Sequence, residues 1–73
     1  MRLRTVFARN LRLARHRAGL SQYQLAELAG LNNNYVGKLE REESSPSVET
    51  IEVLAMALEI DADVLLSFDI LMK

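Results

Sequence analysis

Cysteine is absent from this sequence, so neither a disulfide nor a thiolate-bound metal reinforces the fold, and a reducing compartment is its simplest home. His16 is the only histidine, which leaves no histidine cluster for a metal ion. No nucleophile–base pair, metal-ligand set or phosphate-binding loop is present, which argues against an enzyme, and no cofactor is expected. Long apolar runs are missing too. Arginine interrupts residues 1–17 every few positions, so this stretch reads neither as a secretion signal nor as a membrane span. The chain is expected to remain in the cytoplasm with no membrane partner. At 73 residues it has room for one domain, over 1–73, with a marginal hydrophobic core. Of the usual reinforcements for so small a core, oligomerisation is the one left open.

Net charge is close to neutral, at −1. Its distribution is not even. Arg2, Arg4, Arg9, Arg12, Arg15 and Arg17 all precede the first acid, Glu27, while Glu42, Glu43, Glu49, Glu52, Glu59, Asp61, Asp63 and Asp69 crowd the second half. Such asymmetry suggests an electrostatic partner for the basic end, although a solvated helix face accounts for it equally well.

Apolar spacing is helical throughout, and no window alternates in the manner of a strand. The expected architecture is a compact all-α fold of five short helices. The first runs from Thr5 to Ala18 with Phe7, Leu11, Ala14 and Ala18 on its inner face, ended by Gly19. Val6 and Leu13 read as exposed on it. Ser21 caps the second, Gln22 to Ala29, with Gln24 completing a capping box and Gly30 closing the helix. Asn32 is the cap candidate for a third helix through Arg41, with Val36 and Leu39 inward. Glu42 to Pro46 is a polar loop, broken by Ser-Ser-Pro-Ser. Ser47 caps a fourth helix, Val48 to Glu59, whose stripe is Val48, Ile51, Leu54, Ala55 and Leu58. Asp61 caps a fifth over 62–72.

Two short helices joined at a glycine-containing turn, over Ser21 to Arg41, have the form of a DNA-binding helix-turn-helix. Ala26 is small enough to let the helix backbones approach, and Gly30 suits the turn. The pattern resembles the lambda-repressor-like family, also called Cro/C1-type or XRE-type regulators. The resemblance rests on Leu11-Arg12, Arg15, Gly19-Leu-Ser-Gln22, Leu25-Ala26, Gly30, Leu39-Glu40-Arg41, Pro46-Ser47, Leu54-Ala55-Met-Ala-Leu58 and Leu65. Asn34-Tyr35-Val36 is similar to the restriction-modification controllers among its short members.

The resemblance implies double-stranded DNA as partner, read in the major groove by the N-terminal end of the third helix. That end presents Asn32, Asn33 and Asn34, and asparagine can bond adenine at two points. Asn32 is the one better suited to capping, and Asn33 and Asn34 to base contact. Lys38, one turn on, has a guanine edge or a phosphate in reach. Gly37 is costly inside a helix, by about 1 kcal/mol; a site needing close approach to DNA would explain keeping it, and so would loose packing against a neighbour. Gln22 matches the family position that holds a backbone phosphate. Arg12 and Arg41, with Arg9 or Arg17, are further phosphate candidates, which position without specifying sequence. Arg15 and Glu40 match a structural ion pair of the family, one that locks the first helix to the reading helix.

Where the family usually has glycine and basic residues after Glu40-Arg41, this chain has Glu42-Glu43-Ser44-Ser45. Acids there are expected to weaken DNA affinity and leave room for a protein partner at the loop. Val53, Met56 and Val64 also depart from the pattern. With Phe68, Ile70, Leu71 and Met72 they form an expected apolar patch, which implies a symmetric homodimer through Met56, Val64, Phe68 and Leu71. The rival to an operator-binding regulator is an interaction adaptor, or antitoxin-like module, with the same fold and little DNA binding of its own.

Overall fold

The computed structural model describes residues 2–68. Within them the order is α1 (Leu3–Arg17), α2 (Gln22–Ala29), α3 (Tyr35–Glu40), α4 (Val48–Leu58) and a 3-10 helix (Ala62–Leu66), with no strand. The all-helical expectation holds, with four α-helices and a 3-10 turn in place of five helices. One core joins the elements: Phe7 and Leu11 from α1, Leu25 and Ala26 from α2, Val36 and Leu39 from α3, Leu54 and Leu58 from α4, and Leu65.

The first helix buries a wider arc than its apolar stripe suggests. Val6 is fully buried, not exposed, and Asn10, on the same face one turn later, is buried with it. The 3-10 helix packs on α1, and Asn10 bonds the carbonyls of this segment. At the other end, Ala18 lies past the last helical turn and is exposed, correcting its place on the inner face. Gly19 then turns the chain at φ +73°, a left-handed conformation that favours glycine.

The helix-turn-helix is assembled by side-chain capping. Ser21 Oγ accepts from Gln24 N at 3.0 Å while Gln24 Oε1 accepts from Ser21 N at 2.9 Å, so two otherwise unpaired amides are satisfied. Gly30, at φ 71°, ends α2, and Leu31 N returns to Ala26 O at 2.8 Å. Asn32 does not open α3. Its Oδ1 accepts from Asn34 N at 3.0 Å and its carbonyl from Tyr35 N at 3.0 Å, so the side chain builds a turn and the helix starts at Tyr35.

Ser47 caps α4 through Thr50 N at 3.0 Å. Val48, assigned to the inner stripe, is 79% exposed because the first turn of α4 overhangs the core; it forms the lip of a groove whose floor includes Phe7 and Ile51. Glu59, just past the end of α4, sits at φ 58°, a position that favours glycine. Among the described residues no side-chain bond from Glu59 offsets that strain, and the residue is exposed. Glu59→Gly is therefore expected to stabilise the chain by about 1 kcal/mol, seen as a rise of several degrees in thermal melting. A lower melting temperature would contradict this account.

The 3-10 helix replaces the expected fifth α-helix. Asp61 makes no side-chain cap, and the chain is extended again at Ser67. The reason lies in α1. Asn10 Nδ2 donates to the carbonyls of Val64 (3.2 Å), Leu65 (3.1 Å) and Ser67 (2.6 Å), which commits oxygens that a continuing helix would use. Of the expected apolar patch, Ile70, Leu71 and Met72 lie outside the described residues.

Candidate nucleic-acid interface

The buried centre of the site is a carboxylate. Glu40, at the end of α3, has a side chain only 1% exposed, and three groups converge on it. Arg15 holds it bidentately, Nε to Oε2 at 2.7 Å and Nη2 to Oε1 at 3.0 Å. Gln22 Nε2 donates to Oε1 at 3.0 Å, and Arg12 Nε lies 3.6 Å from the same oxygen. Burial by itself raises the Glu40 pKa; the hydrogen bonds from Arg15 and Gln22, with the charges of Arg15 and Arg12, outweigh it and hold the group below its ordinary value. Arg15 also donates to the Leu20 carbonyl at 2.9 Å. One guanidinium thus ties α1, the α1–α2 turn and α3 together.

Outside this lock the surface of α3 and of the turn that leads into it is open. Asn32, Asn33, Asn34 and Lys38 are exposed, and Asn32, Asn34, Tyr35 and Lys38 line a shallow cleft. Gly37 is buried although it belongs to this helix, because the Arg41 guanidinium folds back over it. A β-carbon there would lie 2.9 Å from Arg41 Nη1 and 3.1 Å from Gln22 Oε1. Arg12 is exposed except for its approach to Glu40, and Arg9 and Arg17 are exposed on α1. Gln22, matched to a phosphate contact, turns its amide inward to Glu40.

The two acids after Arg41 take separate directions. Glu42 occupies the left-handed C-terminal position of α3, at φ 63°, where the family usually places glycine. Its carboxylate swings away to α1, accepting from Thr5 Oγ1 at 2.7 Å with Arg2 at 4.0 Å, and Arg4 Nε donates to Ser45 Oγ at 2.9 Å. Glu43 turns back instead to Arg41, accepting from its Nε at 2.9 Å. Beside Arg41 the acidic charge is thus Glu43, with Glu42 turned away to α1.

Residues matched to a dimer contact fall on two surfaces. Met56, 71% exposed, lies in a groove with Leu28, Val53 and Ala57. Val64 lines another with Ala14, Ala18 and Ile60. Phe68 is exposed at the end of the described chain, and Leu71 lies outside it. Asn10 escaped the reading of the sequence. Its signal was a lone amide inside the apolar stripe of α1, between Phe7 and Leu11.

The helix-turn-helix family model HTH_3 matches residues 11–65. Control protein C.SmaI of Serratia marcescens is 39% identical over 67 residues, covering 92% of this chain and 80% of that protein. The crystal structure of the hypothetical transcription factor NHTF from Neisseria superposes with a TM-score of 0.88 at 41% identity, covering 90% of this chain and 76% of that one. The restriction-modification controller protein C.AhdI from Aeromonas hydrophila gives a TM-score of 0.82 at 42% identity, over 85% of this chain and 94% of that one. The immunity repressor of Bacillus phage phi105 is 39% identical over 54 residues, 74% of this chain but 38% of that protein. With helix caps, glycine-bounded turn and these relatives in agreement, the chain belongs to the helix-turn-helix transcriptional regulators of the Cro/C1, lambda-repressor-like type.

Proposed function

We propose that the chain is a sequence-specific DNA-binding regulator, acting as a homodimer on a two-fold operator in the cytoplasm of a bacterium or a phage-infected cell. The observation that carries this reading is the division of labour on and around α3. Glu40 is buried and immobilised by Arg15, while Asn33, Asn34 and Lys38 stand exposed on the same short segment. A helix so anchored presents its N-terminal end to the major groove with little freedom to lose. Asn33 and Asn34 read base edges, Lys38 a guanine or phosphate, and Arg12 and Arg41 hold the backbone. Gln22 reaches a phosphate by giving up its bond to Glu40. Gly37 admits Arg41 beside the backbone. A match over nearly the full length of C.AhdI and most of C.SmaI favours a small controller-type regulator over the larger phage repressor.

The test is binding to the promoter DNA beside its own gene at two salt concentrations. Asn33→Ala and Lys38→Ala are each expected to weaken operator binding by about 1–3 kcal/mol, against a steep salt dependence for the parent. Feeble, salt-insensitive binding to every sequence would instead favour an interaction adaptor. Sedimentation tests the homodimer, for which half-sites lie about 34 Å apart; a monomer mass at all concentrations would rule it out.

A further inference from the structure

Arg41 is a phosphate candidate whose binding fork is already filled. Glu43 Oε2 accepts from its Nε at 2.9 Å and Oε1 from its Nη2 at 3.4 Å, the two-point grip that an arginine also makes on a phosphate. The arrangement is built by the backbone. Glu42 N bonds Leu39 O at 3.2 Å and Glu43 N bonds Lys38 O at 2.8 Å, so the chain reverses at the end of α3 and brings Glu43 back alongside Arg41. On the other side, Gly37 supplies the space into which the guanidinium folds, next to Gln22 Oε1. The pair is half exposed, with side chains 54% and 52% accessible, so it lies on the surface that faces solvent and can be opened.

We propose that the Glu43 carboxylate stands, in the free chain, where a DNA phosphate stands on Arg41 in the complex, and that this competition makes Glu43 an affinity-setting residue. The inference rests on the reading of the chain as a DNA-binding regulator that uses Arg41 on the backbone. Binding exchanges one bidentate acceptor for another: Arg41 leaves the carboxylate for a phosphate oxygen pair, and Glu43 returns to water. Lys38, whose charge also acts on Glu43, is freed from the same acid. Hydrogen bonding from Arg41 holds the Glu43 carboxyl below its ordinary range, so the competitor is ionised at neutral pH.

The measurement is affinity for a short mixed-sequence DNA duplex, at low and at raised salt, for the parent chain, Glu43→Gln, Arg41→Ala and the double variant. Backbone contacts are independent of sequence, so such a duplex suffices. Glu43→Gln is expected to bind about 3- to 10-fold tighter at low salt and to depend more steeply on salt, because an exposed pair and one repulsive charge are removed. In the Arg41→Ala background the same change should give less than about twofold, the part due to charge at a distance. No gain in Glu43→Gln, or an equal gain with and without Arg41, would overturn the proposal while leaving DNA binding intact. Absence of binding by every form at low salt would overturn the DNA-binding reading itself, and this inference with it.

Discussion

Arg15→Ala is expected to destabilise the chain by about 3–5 kcal/mol, the range for stranding one partner of a buried ion pair. A domain of this length has roughly 4–11 kcal/mol in total, so the variant should melt far below the parent or fail to fold at ambient temperature. The size of the effect follows from what is left behind. Glu40, with a side chain 1% exposed, would keep only the Gln22 amide and the more distant Arg12, and the Leu20 carbonyl would lose its donor. Arg15→Lys should recover little, since an ammonium cannot reproduce the fork on both carboxylate oxygens. The same pair shapes the acid limb of stability. Because the Glu40 pKa is lowered in the folded chain, its contribution is complete above the ordinary value of 4.5 and is lost as pH falls through the lower folded value. Glu40→Gln should flatten that limb. An unchanged melting temperature for Arg15→Ala would refute the lock, and with it the account of how α3 is held for reading DNA.

The second large effect is expected at Asn10. Its Nδ2 carries two hydrogens yet serves three carbonyls, those of Val64, Leu65 and Ser67, so at least one hydrogen is shared. Its Oδ1 is buried with no hydrogen-bond partner among the described residues, which marks how much the donations must contribute for the residue to sit here. Asn10→Ala removes the donor and opens a void beside Leu65, which is fully buried; the expected loss is about 2–4 kcal/mol. The readout that separates this from ordinary core damage is local. Amide exchange should rise first over 62–67, as the 3-10 helix detaches from α1, before the helix-turn-helix opens. Uniform loss of protection across all four helices would contradict a local anchoring role. Since Val64 belongs to this segment and Phe68 follows it, the same variant should weaken any dimer built on them.

These two sites were unequally legible. The Arg15–Glu40 pairing came from resemblance to a family, because two residues 25 apart carry no local signal of contact. Asn10 went unread: it is a lone amide among apolar neighbours, and its acceptors are carbonyls more than 50 positions away that leave no mark on side-chain pattern. Val6 was misplaced for a related reason. A helix face is judged from its own apolar stripe, whereas its burial depends on what else packs there, and Val6 is buried outside that stripe. The acidic loop shows the same limit at short range. Glu42 and Glu43 are adjacent and chemically identical, yet one serves Thr5 and the other Arg41. Only the left-handed turn at Glu42 separates their directions.

The sequence by itself determined the helical class, the capping box at Ser21–Gln24, the turn at Gly30 and the pair of short helices on either side of it. All of these are local: they depend on periodicity within a helix, on side chains within a few residues of the amides they cap, and on a backbone conformation that favours glycine. Tertiary structure alone decided why the last segment is a 3-10 helix, how Gln22, Arg12 and Arg15 share one buried carboxylate, and which acid pairs with Arg41. Those features depend on hydrogen-bonding groups brought together from distant parts of the chain or around a chain reversal, where satisfying a buried carbonyl or carboxylate outweighs local preference.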